Sequence, residues 1–130
     1  MRTSLVIFIR IVFLILSHMI RIILLEVNSM NTIFYGVVEE EKERNLERQE
    51  LYKKEIDALP KGSIRIKQVG EKKYYYRYFR CGSKMKSEYI GNDVDKVEEI
   101  KKLIAERKHL QGILKRLKLE YKQMCKVVKE

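Results

Sequence analysis

Tyrosines and cations alternate between Lys61 and Gly91 in a pattern that could do chemistry on an anion. Over residues 60–91 nine bases (Lys61, Arg65, Lys67, Lys72, Lys73, Arg77, Arg80, Lys84 and Lys86) stand against two acids, Glu71 and Glu88, a net charge of +7. Tyr74, Tyr75, Tyr76, Tyr78, Phe79 and Tyr89 are interleaved with them. Rings that stack on bases, beside cations that neutralise phosphates, are what a surface for single-stranded or structured nucleic acid uses. A small sheet also fills its core with aromatics, and edge lysines discourage aggregation, so the tyrosines alone do not decide the matter. The charge balance weighs more, because basic patches take anionic partners.

No other constellation completes a site. Cys81 and Cys125 lack the CxxC spacing, and only His18 and His109 could join them, so neither a zinc centre nor a disulfide framework is expected. Lys61, Gly62 and Ser63 look like the end of a phosphate loop, but the glycine pattern that should precede them is missing. His109 sits beside Arg107 and Lys108 with no carboxylate or nucleophile in view, and Cys81 has no base or oxyanion site. The expectation is a non-enzymatic protein with no catalytic residue, metal or cofactor, in a reducing cytoplasm.

The elements that must position the tyrosines follow from composition and period. A chain of 130 residues with a net charge of +10, 35% charged residues and a single Pro predicts one domain rich in long helices. Residues 37–59 carry eight acids and five bases, and Tyr35, Val38, Leu46, Tyr52, Ile56 and Leu59 recur as a helical stripe that is thin in its middle. Pro60 and Gly62 should end that helix. The sequence of residues 63–90 reads as three short antiparallel strands, broken at Gly70 and at Cys81, Gly82 and Ser83.

Residues 92–130 read as one long helix capped by Asn92 or Asp93. Ile100, Leu103, Leu110, Leu114, Leu117, Tyr121, Met124 and Val128 form a coiled-coil seam broken only at Arg107. The fold expected is therefore α+β: a helix, a three-stranded β-meander and a long C-terminal helix packed back as a helical hairpin. Because the first helix is read as the shorter, seam should be left over for self-association or a partner helix through Leu110, Leu114, Leu117 and Tyr121, or for docking of residues 1–29. Gly112 is a candidate break in this helix.

Turn registers fix which side chains share a face. A two-residue turn at Gly70 and Glu71 sets Ile66 against Tyr75, and a three-residue turn at Cys81–Ser83 pairs Phe79 with Met85 and Tyr75 with Tyr89. Those apolar groups would face the helices. The opposite face would display Arg65, Lys67, Tyr74, Tyr76, Tyr78, Arg80, Lys84 and Lys86, the eight candidate nucleic-acid contacts.

From Leu5 to Leu25 only Arg10, Ser17, His18 and Arg21 are polar, a length that suffices to cross a bilayer. Seventeen apolar residues contribute roughly −5 to −10 kcal/mol and two central arginines offset about 5 to 7, so the balance is marginal unless Arg21 snorkels. Arg10, Ser17 and Arg21 also lie on one stripe, as on a surface helix. A third reading begins the protein at Met30, since Leu25, Glu26 and Val27 can be encoded as a ribosome-binding sequence at the right distance; this reading is placed first, the membrane segment second and the surface helix third. Membrane anchoring, with the domain in the cytoplasm, then depends on residues 1–29 being expressed.

Leu59, Pro60, Lys61, Gly62, Ser63, then Tyr74, Tyr75, Tyr76, then Lys84, Lys86, Ser87, Tyr89, Ile90 and Gly91 together resemble an uncharacterised family of small bacterial and archaeal proteins. The resemblance covers Met30 to Glu130 and implies a helix, a basic hairpin sheet and a long Lys- and Glu-rich helix. Related sheet segments in transposase-like and mobile-element proteins imply nucleic-acid binding by analogy. Arg77, Cys81 and Met85 depart from the pattern, Arg77 where an apolar residue is expected on the packed face.

Overall fold

The computed structural model describes residues 2–129. Met1 and Glu130, the last residue of the expected C-terminal helix, lie outside the described residues. The order is α1 (Arg2–Ala58), β1 (Ser63–Val69), β2 (Lys72–Cys81), β3 (Lys84–Gly91) and α2 (Val94–Lys129). This is the α+β arrangement that the sequence predicts.

The first helix differs most from expectation. It does not begin at residue 37 but runs unbroken for 57 residues, about 86 Å at ~1.5 Å per residue. No proline interrupts the run from Leu25 to Val38, and Gly36 costs only about 1 kcal/mol relative to Ala. Thr32, a capping residue type, instead donates from Oγ1 to Asn28 O at 3.0 Å within the helix. The helix ends before Pro60, where Leu59 N–H still donates to Ile56 O at 3.2 Å. In α2, Asp93 is the cap, its Oδ1 accepting from Asp95 N–H at 3.0 Å. The helix passes through Gly112 without a break.

The two helices pack antiparallel. Asn45 Nδ2 donates to Leu117 O at 3.1 Å, and Gln49 Nε2 donates to Asn45 Oδ1 at 2.7 Å, both from buried side chains. Ile56, Val97, Ile104 and Leu117 form the buried apolar core, with Val38, Tyr52 and Leu59 half-buried on the α1 side. The thin middle of the α1 stripe is thus filled by an amide pair. A satisfied polar pair within an apolar seam fixes register, because any slip would leave the amides unpartnered. Leu46 is 44% exposed and Tyr35 is also exposed, so neither belongs to the packed stripe as expected.

On α2 the predicted seam is the packed face: Leu117 is buried, and Ile100, Leu103, Leu110, Leu114, Tyr121, Met124 and Val128 are half-buried. The surplus, however, lies on the other helix. Because α1 is the longer, its apolar N-terminal half projects past the end of α2, with residues Leu5 to Leu16 all exposed, rather than docking on a leftover seam.

Arg107, the residue that interrupts the seam, donates from Nη1 to Leu59 O at 2.8 Å and also to Ile56 O. Carbonyls in the last turn of a helix have no intrahelical partner, and this guanidinium supplies one to the end of α1.

The sheet is a meander in the order β1-β2-β3. Its first turn has the expected register, with Ile66 opposite Tyr75 and Val69 opposite Lys72. The second does not: Cys81 pairs with Lys84 and Arg80 with Met85 across a two-residue turn at Gly82 and Ser83. Gly82, at φ 63°, takes the first central position of this tight turn, a conformation open to glycine, and Cys81 is left inside the strand.

Candidate nucleic-acid interface

A one-residue change of register exchanges the faces of a strand, and here it moves all of β3 relative to expectation. Tyr89 now lies opposite Tyr76, and Met85 opposite Arg80. Both therefore leave the helix-facing side, where they were expected, and are 57% and 59% exposed. Lys84 and Lys86 move the other way, to the face that carries Phe79 and Cys81, their partners being Cys81 and Phe79 respectively. A bulge between Tyr75 and Tyr76 sets Tyr75 against Gly91 and leaves Ile90 without a direct partner.

The face that results carries Arg65 and Lys67 from β1, Lys72, Tyr74, Tyr76, Tyr78 and Arg80 from β2, and Met85, Ser87 and Tyr89 from β3. No acid is among them. Six of the eight predicted contacts are thus brought together (Arg65, Lys67, Tyr74, Tyr76, Tyr78 and Arg80), and Lys84 and Lys86 are not. Sequence reasoning missed Tyr89 and Lys72 on this face; only the second turn length could have placed Tyr89 there.

The rings are in contact with one another. Tyr89 lies 5.3 Å from Tyr76 and 6.3 Å from Tyr74, ring centre to ring centre, at tilted angles. The Arg65 guanidinium lies 4.8 Å from the centre of the Tyr78 ring. Lys67, Val69, Tyr74, Tyr76 and Tyr89 line a shallow depression on this side. Tyr74, Tyr76 and Tyr78 are half-buried by this mutual packing, as are Tyr75 and Phe79 behind them, so the expected contrast in burial between the two sets is not seen. Packed rings lose little further freedom when a flat ligand stacks on them, which favours binding.

The opposite face explains the departure at Arg77. Its Nε and Nη2 donate to Glu88 Oε2 at 2.9 and 2.6 Å, and Nη1 donates to Lys61 O at 2.8 Å. The guanidinium also stacks 4.2 Å over Phe79. An arginine occupies an expected apolar position because every direction in which it reaches is answered. It ties the 59–62 linker to the sheet, and Gly62 fits against the backbone of Tyr78 there. Beyond the linker, Gly62, Ile64, Ile104 and Ala105 line a groove between β1 and α2, which places Ile64 towards the helices.

Both cysteines are free, Cys81 exposed and Cys125 half-buried. Among the described residues no group of three or more His, Cys, Asp or Glu side chains comes together as a metal site would need.

The part of the chain that holds this surface is the part that other proteins share. Residues 39–102 match the model of a domain of unknown function (DUF6788). The matched segment takes in the paired half of α1, the whole sheet and the first quarter of α2, a narrower span than the resemblance from Met30 to Glu130 implies. Comparison with curated proteins and with solved structures gives no match.

Proposed function

We propose that the chain is a non-enzymatic binding module whose acid-free tyrosine face takes single-stranded or structured nucleic acid without strong sequence preference. The supporting observation is that the clustered tyrosines and the acid of this thin sheet lie on opposite faces, while its strand cations divide evenly, Lys73, Arg77, Lys84 and Lys86 standing on the side away from that cluster. Four tyrosines (Tyr74, Tyr76, Tyr78 and Tyr89) share a face with Arg65, Lys67, Lys72 and Arg80, while the sheet acid Glu88 lies on the other side, engaged by Arg77. Cations on such a face neutralise phosphates and the rings offer sequence-tolerant stacking.

Titration of a fluorescent single-stranded oligonucleotide at low salt tests this reading. Binding that weakens steeply with salt, together with a Tyr76→Ala loss of about 1 to 3 kcal/mol at nearly constant salt slope, supports it. Absence of binding to any single- or double-stranded nucleic acid at low salt overturns it.

The competing reading, an interaction protein that offers its coiled-coil seam to a partner helix, requires Leu110, Leu114, Leu117 and Tyr121 to be available. Leu117 is buried and the other three are half-buried along the face turned to α1, so a partner would have to open the hairpin. A second reading concerns location. Residues of α1 from Leu5 to Leu16 are all exposed and, but for Arg10, all apolar, and α1 is long and apolar enough to cross a membrane by length and composition. We take the apolar half of α1 as a bilayer anchor.

A further inference from the structure

We infer that the lysine-rich C-terminal end of α2 is folded back onto the same bilayer surface from which α1 emerges, and that it binds anionic phospholipid headgroups there. The inference rests on the anchored reading of α1.

It starts from the hairpin register. Counting antiparallel from the Asn45–Leu117 contact, Lys126 comes level with Gly36 and Lys129 with Ile33. Ile33 is eight residues past Leu25, about 12 Å at ~1.5 Å per residue. The headgroup layer on one side of a bilayer is itself roughly 5 to 8 Å thick. A lysine side chain at Lys129 therefore reaches the headgroups, and Lys126 and Lys122 stand within one to two screening lengths, about 10 Å each at 0.1 M salt.

The residues at that level suit an interface. Between Glu26 and Glu39 the chain has no charged residue at all. Val27, Met30, Phe34 and Val37 recur at helical spacing and are exposed, and Tyr35 packs edge-on against Phe34 at 5.9 Å between ring centres. Phe34 and Tyr35 stand about 14 to 15 Å past Leu25 at ~1.5 Å per residue, just outside the headgroups, and helical side chains lean towards the N-terminus, which tilts these interface-favouring rings back towards the bilayer. The exposed face of α2 then supplies the charge. Lys115, Lys118, Lys122, Lys126 and Lys129 fall on one stripe at spacings of three and four, all exposed, with Arg116 beside it and Glu120 the one acid between Lys115 and Lys129. Among the described residues neither pairing with α1 nor the ion pairs of the hairpin use these lysines, whereas Lys42 is held by Glu39 at 3.2 Å. The geometry also separates functions, because the tyrosine sheet begins beyond Ala58, roughly 50 Å from Leu25 along α1 at ~1.5 Å per residue, too far for the bilayer field to compete for it.

The test uses the full chain with Cys81→Ser and Cys125→Ser, an environment-sensitive fluorophore on Val127→Cys, and vesicles carrying a fixed fraction of headgroup-nitroxide phosphatidylcholine. Val127 is 39% exposed, beside Lys126 but outside the seam. Flotation with neutral phosphatidylcholine vesicles in 0.5 M salt reports the anchor. Quenching at least twofold stronger when 30% phosphatidylglycerol is included, abolished by 0.5 M salt and by Lys122→Gln, Lys126→Gln and Lys129→Gln together, supports the lipid contact. A chain that fails to float overturns anchor and inference alike. A chain that floats but is quenched equally in neutral and anionic vesicles overturns the inference and leaves the anchor standing. If the three changes weaken oligonucleotide binding without altering quenching, the lysines serve nucleic acid, and the inference is again overturned.

Discussion

Arg107 of α2 donates from Nη1 to the carbonyl oxygen of Leu59 at 2.8 Å, and so a break in one helix's apolar seam completes the end of the other helix. Read from the heptad pattern alone, Arg107→Leu should improve the seam. The structure reverses that sign. A charge-assisted hydrogen bond contributes about 1.5 to 3 kcal/mol, and two carbonyls share this donor, whereas a half-buried leucine returns less than the roughly 1.5 to 3 kcal/mol of full burial. Arg107→Leu is expected to destabilise the hairpin by about 1 to 2 kcal/mol in urea unfolding followed by circular dichroism. A rise in the unfolding midpoint would refute the capping role.

The linker makes a second demand, at Gly62. Its φ of 114° is strained for any side chain, and an added Cβ would come within 2.9 Å of Phe79 Cβ and would also crowd Tyr78 O. Backbone atoms of a paired strand cannot step aside. Gly62→Ala is expected to cost about 2 to 4 kcal/mol. Gly70 also has positive φ, at 65°, but nothing lies within 4 Å of its position. Gly70→Ala should therefore cost only about 1 kcal/mol, the conformational part alone. Parallel unfolding curves for the two variants read the difference, and equal losses would show that the close approach at Gly62 does not matter.

Much of the architecture was legible because the strongest signals were local or periodic. Pro60 with Gly62, the 3-4 spacing from Ile100 to Val128, and Gly70 each act within a few residues. What escaped was set by contacts distant in sequence. Arg107 looks like a defect until the end of α1, some fifty residues earlier, is brought beside it. Asn45 and Gln49 look like a gap in the α1 stripe until Leu117 O answers them. Arg77 looked misplaced because Glu88 and Lys61 O are its partners only in the folded sheet. At the second turn, two-residue and three-residue closures place nearly the same residues in strands, and the choice alone decided which face received Met85, Tyr89, Lys84 and Lys86.

That choice can be checked by cross-linking. Residues directly opposite one another in an antiparallel pair hold their Cα atoms at about 4.5 to 5.5 Å, within the range for a disulfide. In a background lacking Cys81 and Cys125, Arg80→Cys with Met85→Cys is expected to oxidise readily to a disulfide, since the two positions pair. Phe79→Cys with Met85→Cys should not, because their side chains lie on opposite faces. Efficient closure of the second pair instead would restore the three-residue turn and return Lys84 and Lys86 to the tyrosine face.

The same division of faces predicts which cations carry nucleic-acid affinity. Arg65, Lys67 and Arg80 lie among the tyrosines, while Lys84 and Lys86 lie on the face with Arg77 and Glu88. If each of the first three neutralises one phosphate on a single strand, replacing them together by Ser should flatten the log-log salt dependence by about 2, at roughly 0.7 per phosphate. Lys84→Ser with Lys86→Ser should flatten it by well under half of that, since these ammonium groups are separated from the ligand by the sheet itself and are screened within about 10 Å at 0.1 M salt. Salt titrations of the two variants against one oligonucleotide decide between the faces. A larger loss from the Lys84 and Lys86 pair than from the Arg65, Lys67 and Arg80 set would move the interface to the opposite side of the sheet.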